Sequence, residues 1–133
     1  MFQKKMIVAV DDSNLILKRL TKELGERYDL HAFSVGNRAL RFLKDRTPDL
    51  IILDIDMPEI NGYEMLKIIR ETERLKSVPV LFLTSNNDRN CVIRAVAGGA
   101  NDYVVKPIDG EILMEKVRAA LKETVSAGFD QVE

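Results

Sequence analysis

Cysteine is almost missing from this chain. One residue, Cys91, among 133 leaves no internal disulfide and no multi-cysteine metal pattern. It falls in a helical stretch, where a lone thiol serves as a small hydrophobe. An excess of one charge is also lacking. Twenty basic side chains stand against 21 acidic ones, a formal net charge of −1, so there is no basic field for direct nucleic-acid binding. No apolar run approaches the length of a membrane span, and Met1–Lys5 lead into a strand with no secretory segment. These absences predict a soluble, cytoplasmic protein with no membrane or nucleic-acid partner. The length suits one core, expected over residues 1–125. The remaining residues, 126–133, hold Gly128 and little periodicity and read as a flexible tail.

What the chain has is five alternations of strand and helix signals. The strands are expected at Met6–Val10, Tyr28–Phe33, Leu50–Leu53, Val80–Leu83 and Tyr103–Val105. Ser13 or Asn14 opens the first helix, with Ile16, Leu17, Leu20 and Leu24 at helical spacing before Gly25. A second helix starts near Val35 and turns Ala39, Leu40 and Leu43 inward, and Thr47-Pro48 ends it. Met65, Leu66 and Ile69 mark the third helix, and Arg89–Ala97 the fourth, stopping at Gly98-Gly99. The fifth begins near Asp109 and buries Leu113, Val117, Ala120, Leu121 and Val125. Strands one, three and four are unbroken apolar runs, as in a parallel sheet covered on both faces. The second alternates with polar Asp29 and His31, and the fifth is short, so both belong at edges. Right-handed crossovers then favour an α/β doubly wound sandwich. Periodicity alone leaves the strand order open.

Four of these runs end at residues with chemistry to offer. Ile7–Val10 ends in Asp11 and Asp12, Leu50–Leu53 in Asp54, Val80–Leu83 in Thr84, and Tyr103–Val105 in Lys106. Ligands of open parallel sheets bind beyond the carboxyl ends of the strands. Carboxylates sharing that crevice repel one another, and a hard, partly hydrated cation such as Mg²⁺ would relieve the repulsion. Taken alone, Asp11 and Asp12 fit helix capping as well as they fit a metal site. Taken alone, Thr84 and Lys106 are an ordinary strand-end threonine and lysine. Their shared position favours phosphoryl chemistry, with Asp54 as nucleophile forming an acyl phosphate. Lys106-Pro107 allows a cis or a trans bond.

Val10-Asp11-Asp12-Ser13, Leu53-Asp54-Ile55-Asp56-Met57-Pro58 with Asn61-Gly62, Leu83-Thr84-Ser85, and Gly99 through Pro107 together resemble the response-regulator receiver domain of two-component signalling. The match in order and spacing covers roughly Lys5 to Thr124. The resemblance implies a flavodoxin-like sheet of five parallel strands in the order 2-1-3-4-5, with five helices. It implies a phosphorelay module that is not a turnover enzyme. Asp54 would accept a phosphoryl group from a phosphohistidine on a sensor histidine kinase or histidine phosphotransfer protein. Asp12, Asp54 and the backbone carbonyl of Asp56 would ligate Mg²⁺, with Asp11 acting through water. Thr84 and Lys106 would contact the phosphoryl group, and Tyr103 would be the switch aromatic. A downstream protein target would read the face of the fourth helix, fifth strand and fifth helix, including Asn90, Arg94 and Tyr103. The chain would be a stand-alone receiver or a piece of something larger. Asp54-Ile55-Asp56 also resembles the nucleophile motif of haloacid-dehalogenase-type phosphatases. On that alternative, Asp54 and Asp56 would serve a true hydrolase. His31, alone on an edge strand, reads as a partly exposed strand residue.

Overall fold

The computed structural model describes residues 3–85 and 89–123. Its elements are β1 (Met6–Val10), α1 (Asn14–Leu24), β2 (Asp29–Phe33), α2 (Gly36–Leu43), β3 (Leu50–Asp54), α3 (Gly62–Glu71), β4 (Val80–Thr84), α4 (Arg89–Ala97), β5 (Asp102–Val105) and α5 (Gly110–Ala120). All strand pairs are parallel and the order is β2-β1-β3-β4-β5. This is the flavodoxin-like arrangement that the resemblance implied.

Successive strand side chains point to opposite faces, and the apolar runs divide accordingly. Ile7, Ala9, Leu50, Ile52, Leu81, Leu83 and Val104 pack under α1 and α5, against Leu17, Leu20, Leu24, Leu113 and Val117. Val8, Val10, Ile51, Leu53, Val80 and Phe82 face α2, α3 and α4, against Ala39, Leu43, Met65, Leu66, Ile69 and Ala95. Each fully buried Leu, Ile or Val stabilises the fold by about 1.5–3 kcal/mol relative to an exposed one. The edge strands are the polar or short ones, as their patterns predict: β2 exposes Asp29 and Ala32, and β5 has four residues.

Local signals explain most boundaries. Ser13 is the α1 cap, its Oγ accepting from the Ile16 N–H. Asn61 and Glu64 form a reciprocal capping box at α3, and Asp109 caps α5 through the N–H groups of Glu111 and Ile112. Gly99, at φ +100°, supplies the left-handed turn after α4. Four details differ from expectation, the first being that β5 begins one residue earlier, at Asp102, which pairs with Leu81. Tyr28 precedes β2 as a buried ring, because its N–H still bonds to Leu24 O at the end of α1. Strands β3 and β4 extend one residue further, to Asp54 and Thr84, because their ladders continue through the polar ends. Ala120 is only half-buried. Val125, the expected tail 126–133 and the side chains of Asn90 and Cys91 lie outside the described part of the chain.

Candidate functional site

The lateral direction in which the chain adds strands reverses between β1 and β3: β2 lies to one side of β1, while β3, β4 and β5 follow on the other. The crevice past the strand ends at that switch point is where an open α/β sheet binds ligands. Asp11, one residue past β1, and Asp54, the last of β3, stand there. Asp12 is exposed beside them, and oxygens from the three carboxylates lie within 4.8 Å of one another. Asp11 is 0% exposed and Asp54 4%. The capping alternative for Asp11 is only partly met. Its Oδ1 accepts the Ser13 N–H at 2.9 Å, but Ser13 itself caps the helix. The other oxygen, Oδ2, turns to Lys106.

Lys106 follows β5, whose register pairs Thr84 with Val105. Its backbone N–H donates to Thr84 O at 2.7 Å. Its Nζ lies 2.9 Å from Asp11 Oδ2 and donates to Asp54 Oδ1 at 3.3 Å. The Lys106-Pro107 bond is cis. Thr84 is 4% exposed at the end of β4, the strand that pairs with both β3 and β5. Tyr103 is half-buried on β5, and Asp56 is exposed in the loop after β3.

One ammonium shared by two buried carboxylates leaves the centre short of positive charge. Burial and then the neighbouring Asp11 charge raise the Asp54 pKa from 3.8 to about 7, against the opposing pull of Lys106. For Lys106, burial lowers the pKa, but the Asp11 and Asp54 carboxylates outweigh it and the net direction is up. Apart from the ion pair with Lys106, Asp11 Oδ2 has no hydrogen-bond partner among the described residues. Three clustered carboxylates, one of them held partly protonated near neutral pH, are the donor set that a hard divalent cation fits.

The loop below Asp54 is tightly closed. The Gly62 N–H donates to Ile55 O at 2.8 Å. A Cβ on Gly62 would sit 2.5 Å from Asp54 O and 2.9 Å from Ile55 Cα, both backbone atoms that cannot swing aside. Gly62→Ala is therefore expected to destabilise the fold by about 2 kcal/mol, as read by urea unfolding. An unchanged midpoint would show that this loop yields.

A model of the response regulator receiver domain matches residues 7–118. The chain belongs to this family. Its relatives include the transcriptional regulatory protein AfsQ1 of Streptomyces coelicolor, 34% identical over 92% of this chain and 56% of its own length. The chemotaxis protein CheY of Pseudomonas aeruginosa is 36% identical over 85% of this chain and 92% of its own. Among solved structures, a putative response regulator from Chloroflexus aurantiacus superposes with a TM-score of 0.86 at 30% identity, covering 91% of this chain and all of the other. The chain spans about half the length of AfsQ1 and of the DNA-binding MtrA regulators it matches. As a receiver it is a phosphorelay signalling module of two-component systems, a family that works with histidine kinases and downstream targets. The haloacid-dehalogenase alternative has no support, since the matched family spans both Asp54 and Asp56. No helix among the described residues is long and apolar enough to cross a membrane.

Sequence reasoning missed the residues that brace this receiver. The Arg70 guanidinium donates twice to Gly99 O, at 3.0 and 2.8 Å, and also to Val78 O and Asn101 Oδ1. Arg74 holds the carbonyls of Leu43, Lys44 and Arg46 at the end of α2. Lys116 reaches Asp102 and Tyr103. His31 is partly exposed as expected, with Nε2 3.2 Å from Asp29 Oδ2 and its ring 4.9 Å from that of Phe42.

Proposed function

We propose that Asp54 is the phosphoacceptor of this receiver. The reading is carried by one observation: Asp54 ends β3 within 3.3 Å of the Lys106 ammonium, in a crevice shared with Asp11, Asp12 and Thr84. A carboxylate oxygen of Asp54 attacks the phosphorus of a phosphohistidine, the P–N bond breaks, and an acyl phosphate forms. The transferring group carries its charge on equatorial oxygens, so it needs positive and hydrogen-bonding partners more than acid–base groups. Lys106 offers the ammonium and Thr84 the hydroxyl. Mg²⁺ held by Asp12, Asp54 and the Asp56 carbonyl, with Asp11 acting through water, would supply further positive charge to those oxygens. The module modifies itself once per donor and does not turn over free substrate. Its donor is a sensor histidine kinase or a histidine phosphotransfer protein in the cytoplasm. Its output is a change on the α4, β5 and α5 face, with Tyr103 moving as Thr84 is drawn to the phosphate, read by a downstream protein.

Incubation with Mg²⁺ and acetyl phosphate, followed by intact mass, tests this directly. One added phosphoryl group is expected, absent in Asp54→Ala. An equal gain in Asp54→Ala would move the acceptor elsewhere, and steady phosphate release without a modified protein would revive hydrolase chemistry.

Asp56 stands two residues past the acceptor and is exposed, so its carboxylate can repel or orient the water that attacks the acyl phosphate. Asp56→Asn is expected to change the dephosphorylation rate several-fold. Matching decay curves for variant and parent would remove this role.

A further inference from the structure

Tyr103 packs against the cluster formed under α2, α3 and α4. Lys116 belongs to α5, whose Leu113 and Val117 cover the opposite face of the sheet. Because β5 is an edge strand, a long side chain can pass around it from one face to the other. Lys116 does so: its Nζ lies 3.0 Å from Asp102 Oδ1 and 5.0 Å from the centre of the Tyr103 ring. The same Oδ1 accepts the Tyr103 backbone N–H at 2.8 Å. One ammonium is thus held between the carboxylate of one β5 residue and the ring of the next.

We propose that Lys116 is a positioning residue that clamps the Tyr103 ring at the β5 edge, sets the resting balance of the switch and ties α5 to it. The inference rests on the reading of Tyr103 as the switch aromatic. Cation–π attraction requires the ammonium within about 6 Å of the ring centre. A ring that moves toward Thr84 leaves that range, while the Lys116–Asp102 pair stays behind. The clamp therefore favours one state over the other, which is the condition for shifting a two-state equilibrium. Lys116→Met keeps the aliphatic stem and removes the charge. From an exposed-site cation–π contact, the unclamped protein should hold about two- to fivefold more phosphoryl group at limiting acetyl phosphate.

The test uses the full chain with ring-labelled tyrosines, whose three signals from Tyr28, Tyr63 and Tyr103 are assigned with Tyr103→Phe. In Lys116→Met, the Tyr103 signal should move toward its position in the phosphorylated parent and become less accessible to a soluble paramagnetic agent. Tyr28 and Tyr63 should stay in place, and Lys116→Arg should keep the parental signal. An unmoved Tyr103 accessibility, or phosphoryl occupancy equal to the parent's, would overturn the clamp. If the parent takes up no phosphoryl group, the acceptor reading fails, and the accessibility of Tyr103 in unmodified protein still decides the clamp. Should Lys116→Met lose its far-UV circular dichroism, Asp102→Asn replaces it. That variant frees the ammonium while keeping an acceptor for the Tyr103 N–H, and the same shift at smaller amplitude is expected. No shift there counts against the clamp.

Discussion

At pH 8 in EDTA, Asp54→Asn should melt on the order of ten degrees above the parent, because it removes a buried charge that the metal-free fold holds at a cost. The folded-state pKa of Asp54 is raised from 3.8 to about 7, chiefly by burial and next by the Asp11 charge. Between those two values the folded chain binds a proton that the unfolded chain has lost, so stability falls as pH rises through the window. The penalty is complete above about pH 7 and absent below about pH 4, where Asp54 is protonated in both states. A shift of this size corresponds to about 4 kcal/mol. The gain from Asn should therefore be large at pH 8, about half-developed near pH 5.5, and gone at pH 3.5. Excess Mg²⁺ at pH 8 should shrink it, because a cation at the three carboxylates stabilises only the parent's charged site. Differential scanning calorimetry across pH checks all three limbs. A gain independent of pH would assign the effect to packing.

Asp54 and its neighbours could be found from sequence because each ends an apolar run, and the end of a parallel strand is a position that pattern can locate. The two-sided burial of β1, β3 and β4 was legible for the same reason: runs such as Ile51-Ile52-Leu53 alternate between two cores and need helices on both faces. Lateral order was not legible from pattern, since nothing in a run of isoleucines and leucines names its neighbour. The order came from the resemblance and matches the structure. The braces were invisible for a different reason. Arg70, Arg74 and Lys116 are long side chains that look solvated in sequence, and their partners are backbone carbonyls, an edge-strand carboxylate and a ring in other elements. Only the turn at Gly98-Gly99 hinted at a special backbone there, and it did not name Arg70 as the group holding it. Ser13 over Asn14 as the α1 cap was a choice between adjacent equals, and Asp11 decided it by taking the Ser13 N–H.

Lys106→Met should act in the opposite direction from Asp54→Asn, and the pair together measures the charge balance of the site. Nζ of Lys106 stands 2.9 Å from Asp11 and 3.3 Å from Asp54, with both carboxylates buried. Removing the only cation that lies on them among the described residues leaves buried charge uncompensated, which typically costs about 3–5 kcal/mol. In EDTA at pH 8 the variant should lose that much in urea unfolding. Lowering the pH lets Asp54 take up a proton, so the loss should shrink towards pH 5. Mg²⁺ should also restore part of the stability at pH 8. The double variant Asp54→Asn with Lys106→Met retains one buried carboxylate, Asp11, without its partner. It should fall between the two single variants, with a coupling of about 1–3 kcal/mol. Strict additivity would mean that Lys106 answers to Asp11 alone. In that case the 3.3 Å contact carries no stabilising energy, and the ammonium is held where an incoming phosphoryl oxygen could claim it.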